Sequence, residues 1–403
     1  MSTTAFLQDE QLLERFQALD PFICQHQQLW RPRPFMHLRM PWEGEYPDLS
    51  NWLRQRSLEE AEAAEVDLVP LPAPFCELAA RARQLSAIGA LPDSGLHVAG
   101  HRLDVHVPGR KWQQIEAFMR RLGFSDQPQH WLDWCSGKGH LGRRLLQSGQ
   151  RLTCLEFDAA LVAAGQALSD HHHLPAKHVH QDVLAPGSAQ YLDIHKSVVA
   201  LHACGDLHVR LLQLASQQGC RQVAVAPCCY NRTQDELYQP LSSAAQASSL
   251  KLSLSDLGLP MSEAVTSSAR VRRQRDCSMA RRLGFDLLQR EQRQSEDYLP
   301  TPSLPVSWLE KPFGQYCRDL AELKGFDVVG EPDWSGLEAA GWRRLAEVRN
   351  LERVRNLFRR PLEVWLVLDR ALFLREQGYR VRLGEFCERP LTPRNLMILA
   401  ERG

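Results

Sequence analysis

A short apolar stretch that runs straight into a glycine-rich turn constrains this chain more than any other feature. The stretch is Trp131-Leu-Asp-Trp134, and glycines follow it in the spacing G-x-G-x-x-G at Gly137, Gly139 and Gly142. This spacing is typical of a buried strand that turns tightly into a helix, with a ligand held at the helix N-terminus. The turn therefore predicts a site for a nucleotide-like cofactor.

Two carboxylates near the turn help to identify the cofactor that it binds. Asp133, at the tip of the first strand, would repel a pyrophosphate, but it suits S-adenosylmethionine (SAM), which carries an ammonium and a sulfonium and no phosphate. Glu156 ends the next strand, 19 residues after Gly137. From that place a doubly wound fold binds ribose hydroxyls, so Glu156 fits SAM and a dinucleotide equally. We expect SAM, and the structural alternative is a tight turn that binds nothing.

Composition excludes several broad classes. With 403 residues the chain predicts two or three units. The overall balance of 48 basic against 48 acidic residues predicts neither a nucleic-acid nor a membrane partner, so local charge has to decide; no DNA partner is expected. The eleven cysteines form no C-x-x-C pair, and no apolar run approaches the roughly 18 residues of a membrane span. The N-terminus lacks a secretory signal pattern. We therefore expect a reduced, cytoplasmic protein.

Strands and helices alternate through the middle of the sequence. This alternation predicts an α/β fold, a Rossmann-like, doubly wound and mainly parallel sheet with helices on both faces. The predicted elements are strand 130–134, helix 140–149, strand 151–156, helix 158–169, strand 177–181, strand 196–201, helix 206–218 and strand 221–226.

Four consecutive segments are expected. Residues 1–108 predict a helical N-terminal unit, and residues 109–234 the cofactor-binding core. Residues 235–360 are much longer than an ordinary connection and predict a helical, basic insertion that binds substrate. Residues 361–403 predict a helix and a closing strand pair that complete the sheet.

Polar residues follow the third and fourth predicted strands, at the edge where such sheets bind ligands. Asp182 fits hydrogen bonds from an adenine amino group, with Val183 against the ring; a helix N-cap is the alternative for Asp182. His202 and Asp206 suit a base and its orienting partner. Asp206 fits a cap of the following helix equally well.

Cys228, Cys229 and Tyr230 follow the fifth strand, and three chemistries remain open for the two cysteines. They are zinc binding together with Cys204 and His202, a nucleophilic thiolate, and a wall that holds the acceptor with Tyr230 stacking on a base. We favour the wall and expect no metal, since adjacent cysteines chelate one ion poorly. The run His171-His-His173 is interpreted as a solvated loop.

Four of these stretches resemble a known family. Lys111 to Glu116, Asp133 to Leu141, Leu201-His-Ala-Cys-Gly-Asp-Leu207 and Pro227-Cys-Cys-Tyr230 are similar to the class I SAM-dependent methyltransferases of the methyltransferase-like protein 25 group. The His, Cys-Gly and Cys-Cys pattern is also similar to that of tRNA 2′-O-methyltransferases acting on the acceptor stem. Cys135 departs from the pattern, because many methyltransferases have the first loop glycine there, and its side chain is expected to narrow the methionine pocket.

The resemblance and the placement together give a candidate site. The expected catalytic residues are His202, Asp206, Lys111, Cys228, Cys229 and Tyr230, with Lys111 stabilising a developing alkoxide. The expected cofactor residues are Asp133, Ser136, Gly137, Lys138, Gly139, His140, Leu141, Glu156, Phe157, Asp182, Val183 and His202.

Local charge points to an anionic acceptor. Arg270 to Arg293 holds eight arginines against three acids, and Gly341 to Arg360 holds seven against two. Such basic segments fit phosphate contacts, which predicts a methyltransferase acting on RNA, tRNA or rRNA. Solvated helices that balance the acidic stretch 41–68 are the structural alternative. A protein methyltransferase and a non-catalytic binding module with a methyltransferase fold are the competing hypotheses.

Overall fold

The computed structural model describes residues 5–67, 70–95, 103–105, 107–262 and 269–403. The chain forms two compact units, each made of separate segments of sequence. The first unit contains the sheet and consists of Met1–Gln25, Ala82–Val265 and Arg359–Gly403. The second unit is helical and consists of His26–Arg81 and Thr266–Phe358.

Eight strands form one sheet in the first unit. They are β1 (Leu7–Gln8), β2 (His130–Trp134), β3 (Arg151–Glu156), β4 (Ala176–His180), β5 (Lys196–Cys204), β6 (Gln222–Cys228), β7 (Arg380–Glu385) and β8 (Leu396–Glu401). Their order across the sheet is β1-β7-β8-β6-β5-β2-β3-β4. Strands β2 to β6 pair in parallel, β8 is antiparallel to both of its neighbours, and β1 is antiparallel to β7. The predicted fold class is confirmed.

The chain contains fifteen α-helices among its described residues. Those of the first unit are α1 (Glu10–Gln25), α6 (Gly109–Arg120), α7 (His140–Leu145), α8 (Ala159–His171), α9 (Asp206–Gln217), α10 (Ser243–Gln246), α11 (Leu254–Leu257) and α15 (Arg359–Glu376). Those of the second are α2 (Gln27–Trp30), α3 (Pro47–Arg54), α4 (Leu58–Asp67), α12 (Ala269–Arg293), α13 (Phe313–Leu323) and α14 (Trp334–Asn356), while α5 (Phe75–Ser86) crosses the boundary. Short 3₁₀ helices cover Pro186–Tyr191, Leu259–Met261 and Val306–Glu310. Among the described residues, no helix is both long and apolar enough to cross a membrane.

The strand order reverses between β2 and β5. From β2 the chain adds β3 and β4 on one side, then returns to add β5 and β6 on the other. Ligands of open parallel sheets bind beyond the carboxyl ends of the strands at such a reversal. The glycine-rich turn follows β2 and His202 lies near the end of β5, so both stand at this point.

Both faces of the sheet are buried by helices. Trp131, Val199, Ala224 and Leu399 point to one face and pack with α6 and α7 in one apolar cluster. Their neighbours along each strand point to the opposite face. These neighbours are also buried, among them Leu132, Val198, Val223 and Ile398. The central strands therefore consist of nearly continuous apolar runs, as parallel strands covered on both faces do.

In the helical unit, α12 and α14 approach closely at a pair of glycines. A Cβ added at Gly341 would lie 2.3 Å from the Ala280 carbonyl oxygen and 2.9 Å from the Gly284 amide nitrogen. Ala280, Leu283, Leu345 and Val348 form the apolar contact beside this crossing. Glycine is needed at position 341 because any side chain would push the two helices apart.

The observed units differ from the four predicted segments. The N-terminal residues up to Gln25 belong to the sheet unit, because β1 pairs with β7 and Phe16 of α1 packs on Trp365 of α15, with ring centroids 5.3 Å apart. Residues 235–262 also lie in the sheet unit, where the Asp369 carboxylate accepts hydrogen bonds from the Leu241 and Ser242 amides. The predicted strands 196–201 and 221–226 are longer than expected and include Cys204 and Cys228.

Candidate cofactor and active site

The turn between β2 and α7 is an open backbone cradle. Cys135, Gly137 and Gly139 all have positive φ, 56°, 57° and 70°. The Gly139 amide donates to the Ser136 carbonyl at 2.8 Å and closes the turn. A Cβ added at Gly137 would meet nothing within 4 Å, so space remains beside this residue for a ligand. The Ser136 hydroxyl is buried near the Cys154 thiol and has no other hydrogen-bond partner among the described residues.

His178 of β4 lies directly beneath the cradle. A Cβ added at Gly139 would lie 2.5 Å from its Cε1 atom, and one at Gly165 of α8 would lie 2.5 Å from its Nδ1 atom. The Ser169 hydroxyl is 2.9 Å from His178 Nε2. Gly139 is therefore required both for its backbone conformation and for the space that the imidazole fills, a role for His178 that sequence reasoning missed.

Asp133 supports the turn from inside rather than facing a ligand. Its side chain is 2% exposed, and its Oδ2 accepts a hydrogen bond of 2.9 Å from the Gly142 amide. Burial raises the pKa of its carboxyl to about 7. The expectation that the Asp133 carboxylate at the strand tip faces a positively charged cofactor is wrong, because this carboxyl group is enclosed.

Glu156 and Phe157 lie at the end of β3, beside the glycine-rich turn. The Glu156 carboxylate accepts hydrogen bonds from the amides of Gly137 at 2.8 Å, and of Phe157 and Asp158 at 3.0 Å each. These bonds fix its orientation toward the cradle and leave lone pairs for ribose hydroxyls. The Phe157 side chain is 68% exposed, which is unusual for a large apolar group and fits cover by an adenine ring.

Asp182 and Val183, beyond β4, have different exposures. Asp182 is exposed, and its Oδ1 accepts a hydrogen bond from the Leu184 amide at 2.9 Å. Val183 is 3% exposed, so the predicted contact of its side chain with the adenine ring is wrong. The exposed apolar neighbours at this edge are Phe157 and Leu184 instead.

The side chains that follow Gly137 differ in their exposure to solvent. Lys138 is exposed, whereas His140 and Leu141 are buried. Arg143 donates to His140 Nδ1 at 3.1 Å, and burial lowers the pKa of this histidine to about 4. His140 and Leu141 can therefore contact a cofactor only through their backbone.

Acidification is expected to destabilise the protein between pH 6.5 and about 4. Burial lowers the pKa of His130, His140 and His178 from 6.5 to about 4, so in this range the unfolded chain binds protons that the folded chain does not. Burial also lowers the pKa of His202 and His208, whereas it raises the pKa of Asp133, Asp286 and Glu363, which have the opposite effect. Five histidines against three carboxyls leave a net loss of stability on acidification. The urea midpoint should be lower at pH 5 than at pH 7; an equal or higher midpoint would contradict this.

His202 lies at a bulge near the end of β5. Its φ is 62°, and the pairing with β6 shifts register between Leu201 and Ala203. Bulges re-aim side chains and are frequent next to active sites. Gln114 of α6 donates through Nε2 to the Leu391 carbonyl at 3.1 Å, which leaves its Oε1 facing His202 Nε2 at 3.0 Å. His202 therefore donates through Nε2–H, and its Nδ1 carries the lone pair of a base.

Asp206 is not the orienting partner of His202. It is the first residue of α9, its amide donates to the Arg232 carbonyl at 3.0 Å, and its Oδ2 accepts from the Gln234 amide at 2.9 Å. Asp206 thus ties the start of α9 to the loop after β6. The predicted base and carboxylate pair is wrong, and Gln114 is the partner that the sequence did not reveal.

Lys111 and Glu116 of α6 have different surroundings. Lys111 is exposed and acts electrostatically on Asp133, His140 and His202, so its ammonium group lies near the crevice. Glu116 is engaged by Arg144 of α7 in an ion pair. Lys111 remains a candidate for stabilising negative charge on the acceptor, whereas Glu116 holds α6 to α7.

Tyr230 is a core residue and cannot stack on an acceptor base. Its side chain is 2% exposed, and the Arg370 guanidinium lies over its ring at 5.3 Å from the centroid. Arg370 is itself buried and donates to His208 Nε2 at 2.6 Å. The predicted role for Tyr230 is wrong because this buried network from α15 and α9 encloses the ring.

Cys228 and Cys229 lie together with Cys204. Cys228 is buried, and Cys204 and Cys229 are half-buried. The pKa of the Cys229 thiol is lowered by a hydrogen bond from Cys228, and Arg232 and Arg394 act in the same direction. The pKa of Cys228 is raised correspondingly. None of the eleven cysteines, all of which lie among the described residues, forms a disulfide.

This arrangement of turn, acidic strand end and crevice has a counterpart among known families. Residues 110–236 match a family model described as a methyltransferase domain. This segment is a methyltransferase domain. A search of curated protein sequences finds no match to the chain. The finer resemblance to the methyltransferase-like protein 25 group and to acceptor-stem tRNA enzymes stays a prediction.

Solved structures that are similar to part of this chain include enzymes with different substrates. One is a T. thermophilus 16S rRNA N2 G1207 methyltransferase in complex with AdoMet and guanosine, with 20% identity, 32% of this chain and 37% of that chain covered, and a TM-score of 0.25. Another is a magnesium protoporphyrin IX methyltransferase from Synechocystis PCC 6803 with bound SAH, with 14% identity, coverages of 32% and 61%, and a TM-score of 0.25. The chain spans less than half the length of the first structures that it matches, at 43%, 36% and 45%. Likenesses at these TM-scores carry no conclusion about the acceptor.

Proposed function

We propose that the protein is a SAM-dependent methyltransferase that modifies RNA. The methyltransferase domain, the open cradle at Gly137 and the oriented carboxylate of Glu156 support the cofactor part. When bound, SAM supplies an electrophilic methyl group on a sulfonium. The acceptor part rests on one observation, a group of exposed arginines in the helical unit.

These arginines occupy the first turns of α12. Arg270, Arg272, Arg273 and Arg275 are all exposed, four cations within six residues. Arg281, Arg282 and Arg290 of the same helix serve internal contacts, for example that of Arg290 Nε with Asp286 Oδ2 at 2.8 Å. The local positive charge of α12 is therefore concentrated at its start, where it fits contacts with successive phosphates.

The second arginine-rich segment supports the proposal less than its composition indicates. Arg344 donates to the Pro34 carbonyl at 2.8 Å, Arg349 pairs with Asp276, and Arg355 donates to the Trp30 carbonyl at 2.8 Å. These side chains stabilise the helical unit. Arg343 of α14, by contrast, is exposed.

In the proposed reaction the protein mainly positions the acceptor for direct displacement at the methyl group. His202 Nδ1 accepts the acceptor proton, since the contact with Gln114 engages Nε2. Burial lowers the pKa of His202 to about 4, so its imidazole is neutral at pH 7. Lys111 then offsets negative charge that develops on the acceptor atom.

Replacing Gln114 by alanine is expected to lower kcat by about 10- to 100-fold. This loss is smaller than the one seen when a histidine base loses a carboxylate partner, because Gln114 carries no charge. The imidazole would lose the contact that fixes its tautomer, while the cradle for SAM is untouched. Gln113→Ala, at an exposed position one residue away, is the matched control and should retain full activity. Single-turnover rates and calorimetric SAM affinities measure both quantities; equal rates in the two variants would remove this role.

Neutralising Arg270, Arg273 and Arg275 together to glutamine is expected to weaken RNA binding by about 10-fold or more and to reduce the slope of log affinity against log salt by about 2. SAM affinity should not change, because the substitutions lie in the other unit. Arg343→Gln is the control within the same unit. Salt titrations of labelled RNA give both values, and an unchanged slope would count against phosphate contacts here.

The acceptor class is tested by transfer of tritiated methyl groups from SAM. Purified protein is incubated with RNA and protein fractions from cells that lack the gene, and His202→Ala serves as the inactive control. We expect incorporation into RNA that RNase removes. Counts in RNase-resistant protein would identify a protein methyltransferase instead. The cytoplasmic location expected from the cysteine content stays a prediction.

A further inference from the structure

Three cysteine thiols converge where β5 and β6 end. Cys204 and Cys228 are cross-strand partners at the carboxyl ends of these strands, and their Sγ atoms are 3.5 Å apart. Cys229 follows Cys228, and the three Sγ atoms all lie within 4.8 Å of one another. Elsewhere in the described residues, His, Cys, Asp and Glu side chains form no other group of three within this distance.

The backbone at Cys229 explains how two adjacent residues reach one point. Successive side chains of a strand point to opposite faces, so neighbouring cysteines ordinarily diverge. Cys229 has a φ of 46°, which breaks this alternation and brings its thiol to the same side as that of Cys228. A residue other than glycine adopts this conformation at a cost, and such strain clusters at functional sites.

We propose that Cys204, Cys228 and Cys229 bind one zinc ion as thiolates. In tetrahedral zinc sites the Zn–S distance is about 2.3 Å, which places ligand sulfurs about 3.8 Å apart. The observed separations therefore require only small side-chain rotations to accommodate the ion. A disulfide between Cys204 and Cys228 would require their sulfurs to approach to about 2.0 Å. It would not explain why the Cys229 thiol lies beside them.

The charge around the thiols also fits a metal thiolate. Three thiolates and one Zn²⁺ carry a net charge of −1, and Arg232 and Arg394 lie close enough to act electrostatically on Cys229. The Arg232 amide donates to the Cys229 carbonyl at 2.9 Å and fixes the loop that carries both residues. The positive neighbours stabilise the anionic complex.

Among the described residues, no fourth His, Cys, Asp or Glu ligand atom lies within 4.8 Å of all three thiols, so in this proposal an exchangeable molecule takes the remaining position. Three protein ligands with one open position are the pattern of catalytic rather than structural zinc. Cys204 and Cys229 are only half-buried, which leaves that side accessible. The open position suits water or a soft nucleophile such as a thiol. The proposal concerns this site alone and does not depend on the acceptor class.

The test uses the full chain without an affinity tag, purified with a phosphine reductant that keeps thiols reduced. His171 and His173 are replaced by alanine in all samples so that the histidine run does not bind metal. Zinc content is measured by mass spectrometry, and cobalt is titrated in place of zinc, since thiolate ligands give an intense near-ultraviolet charge-transfer band. We expect one zinc per chain and this band for cobalt, and a change in the cobalt spectrum when a small thiol is added.

Cys204→Ser and Cys229→Ser should each weaken zinc binding by more than about 100-fold, since loss of even an outer partner of a ligand costs about 10- to 100-fold. Cys387→Ser, a half-buried cysteine outside the group, is the matched control and should bind zinc normally. Circular dichroism verifies that each variant is folded. Equal zinc affinity in the control and both ligand variants, or no zinc in the parent protein, would overturn the proposal.

Discussion

Replacing His202 by alanine is expected to lower kcat by about 10²- to 10⁴-fold, the contribution that a positioned general base makes to proton transfer. The affinity for SAM should stay close to that of the parent protein, because the imidazole is held by Gln114 rather than by the glycine-rich turn. Single-turnover methyl transfer gives the rate, and calorimetry with S-adenosylhomocysteine gives the affinity.

Asp206→Asn is the matched control for His202. It keeps the size of the side chain and an oxygen that can accept from the Gln234 amide, so the loop after β6 should remain tied to α9. We expect this variant to retain most of the activity. If it lost as much rate as His202→Ala, or if His202→Ala remained active, the base would have to be assigned to Asp206.

Replacing Gly139 by alanine is expected to destabilise the protein by about 2–5 kcal/mol, because a left-handed alanine costs about 1–2 kcal/mol and overpacking about 1–3 kcal/mol. The new methyl group would lie 2.5 Å from His178 Cε1 and 2.9 Å from Cys154 Sγ. Neither neighbour can withdraw easily, because His178 is also held by Ser169. Denaturant unfolding monitored by fluorescence measures the loss.

Gly149→Ala separates the two causes. Gly149 has a φ of 81°, but a Cβ there would meet nothing within 4 Å. Its replacement should cost only the backbone term, about 1–2 kcal/mol. Equal losses at the two positions would show that backbone strain alone accounts for the glycine at 139, and that the space filled by His178 is unimportant.

The alternation of strands and helices made the sheet predictable. Apolar runs such as Val198 to Leu201 are bounded by polar or glycine residues, and this local pattern sets both the strands and the edge at which they end. The positions of Glu156, Asp182 and His202 at that edge follow from topology. These parts of the candidate site needed no tertiary information.

Side-chain direction was not predictable in the same way. Asp133 and Tyr230 lie at strand ends, but each turns into the core, because Gly142 and Arg370 provide partners that only the folded chain brings near. Gln114 looks like any polar residue on an amphipathic helix until Leu391 and His202 are placed beside it. The arginines of α14 likewise predicted a basic surface from composition alone. Most of them are engaged by acids and carbonyl groups from distant segments, which the sequence does not reveal.

The position of β8 in the sheet has a consequence for shortened forms of the protein. This strand lies between β6 and β7 and pairs with both. A fragment limited to residues 110–236, which match the family model, would lack β8, so one edge of β6 would present unpaired backbone groups that can capture strands of other chains. We expect such a fragment to aggregate more readily than the chain that includes β8.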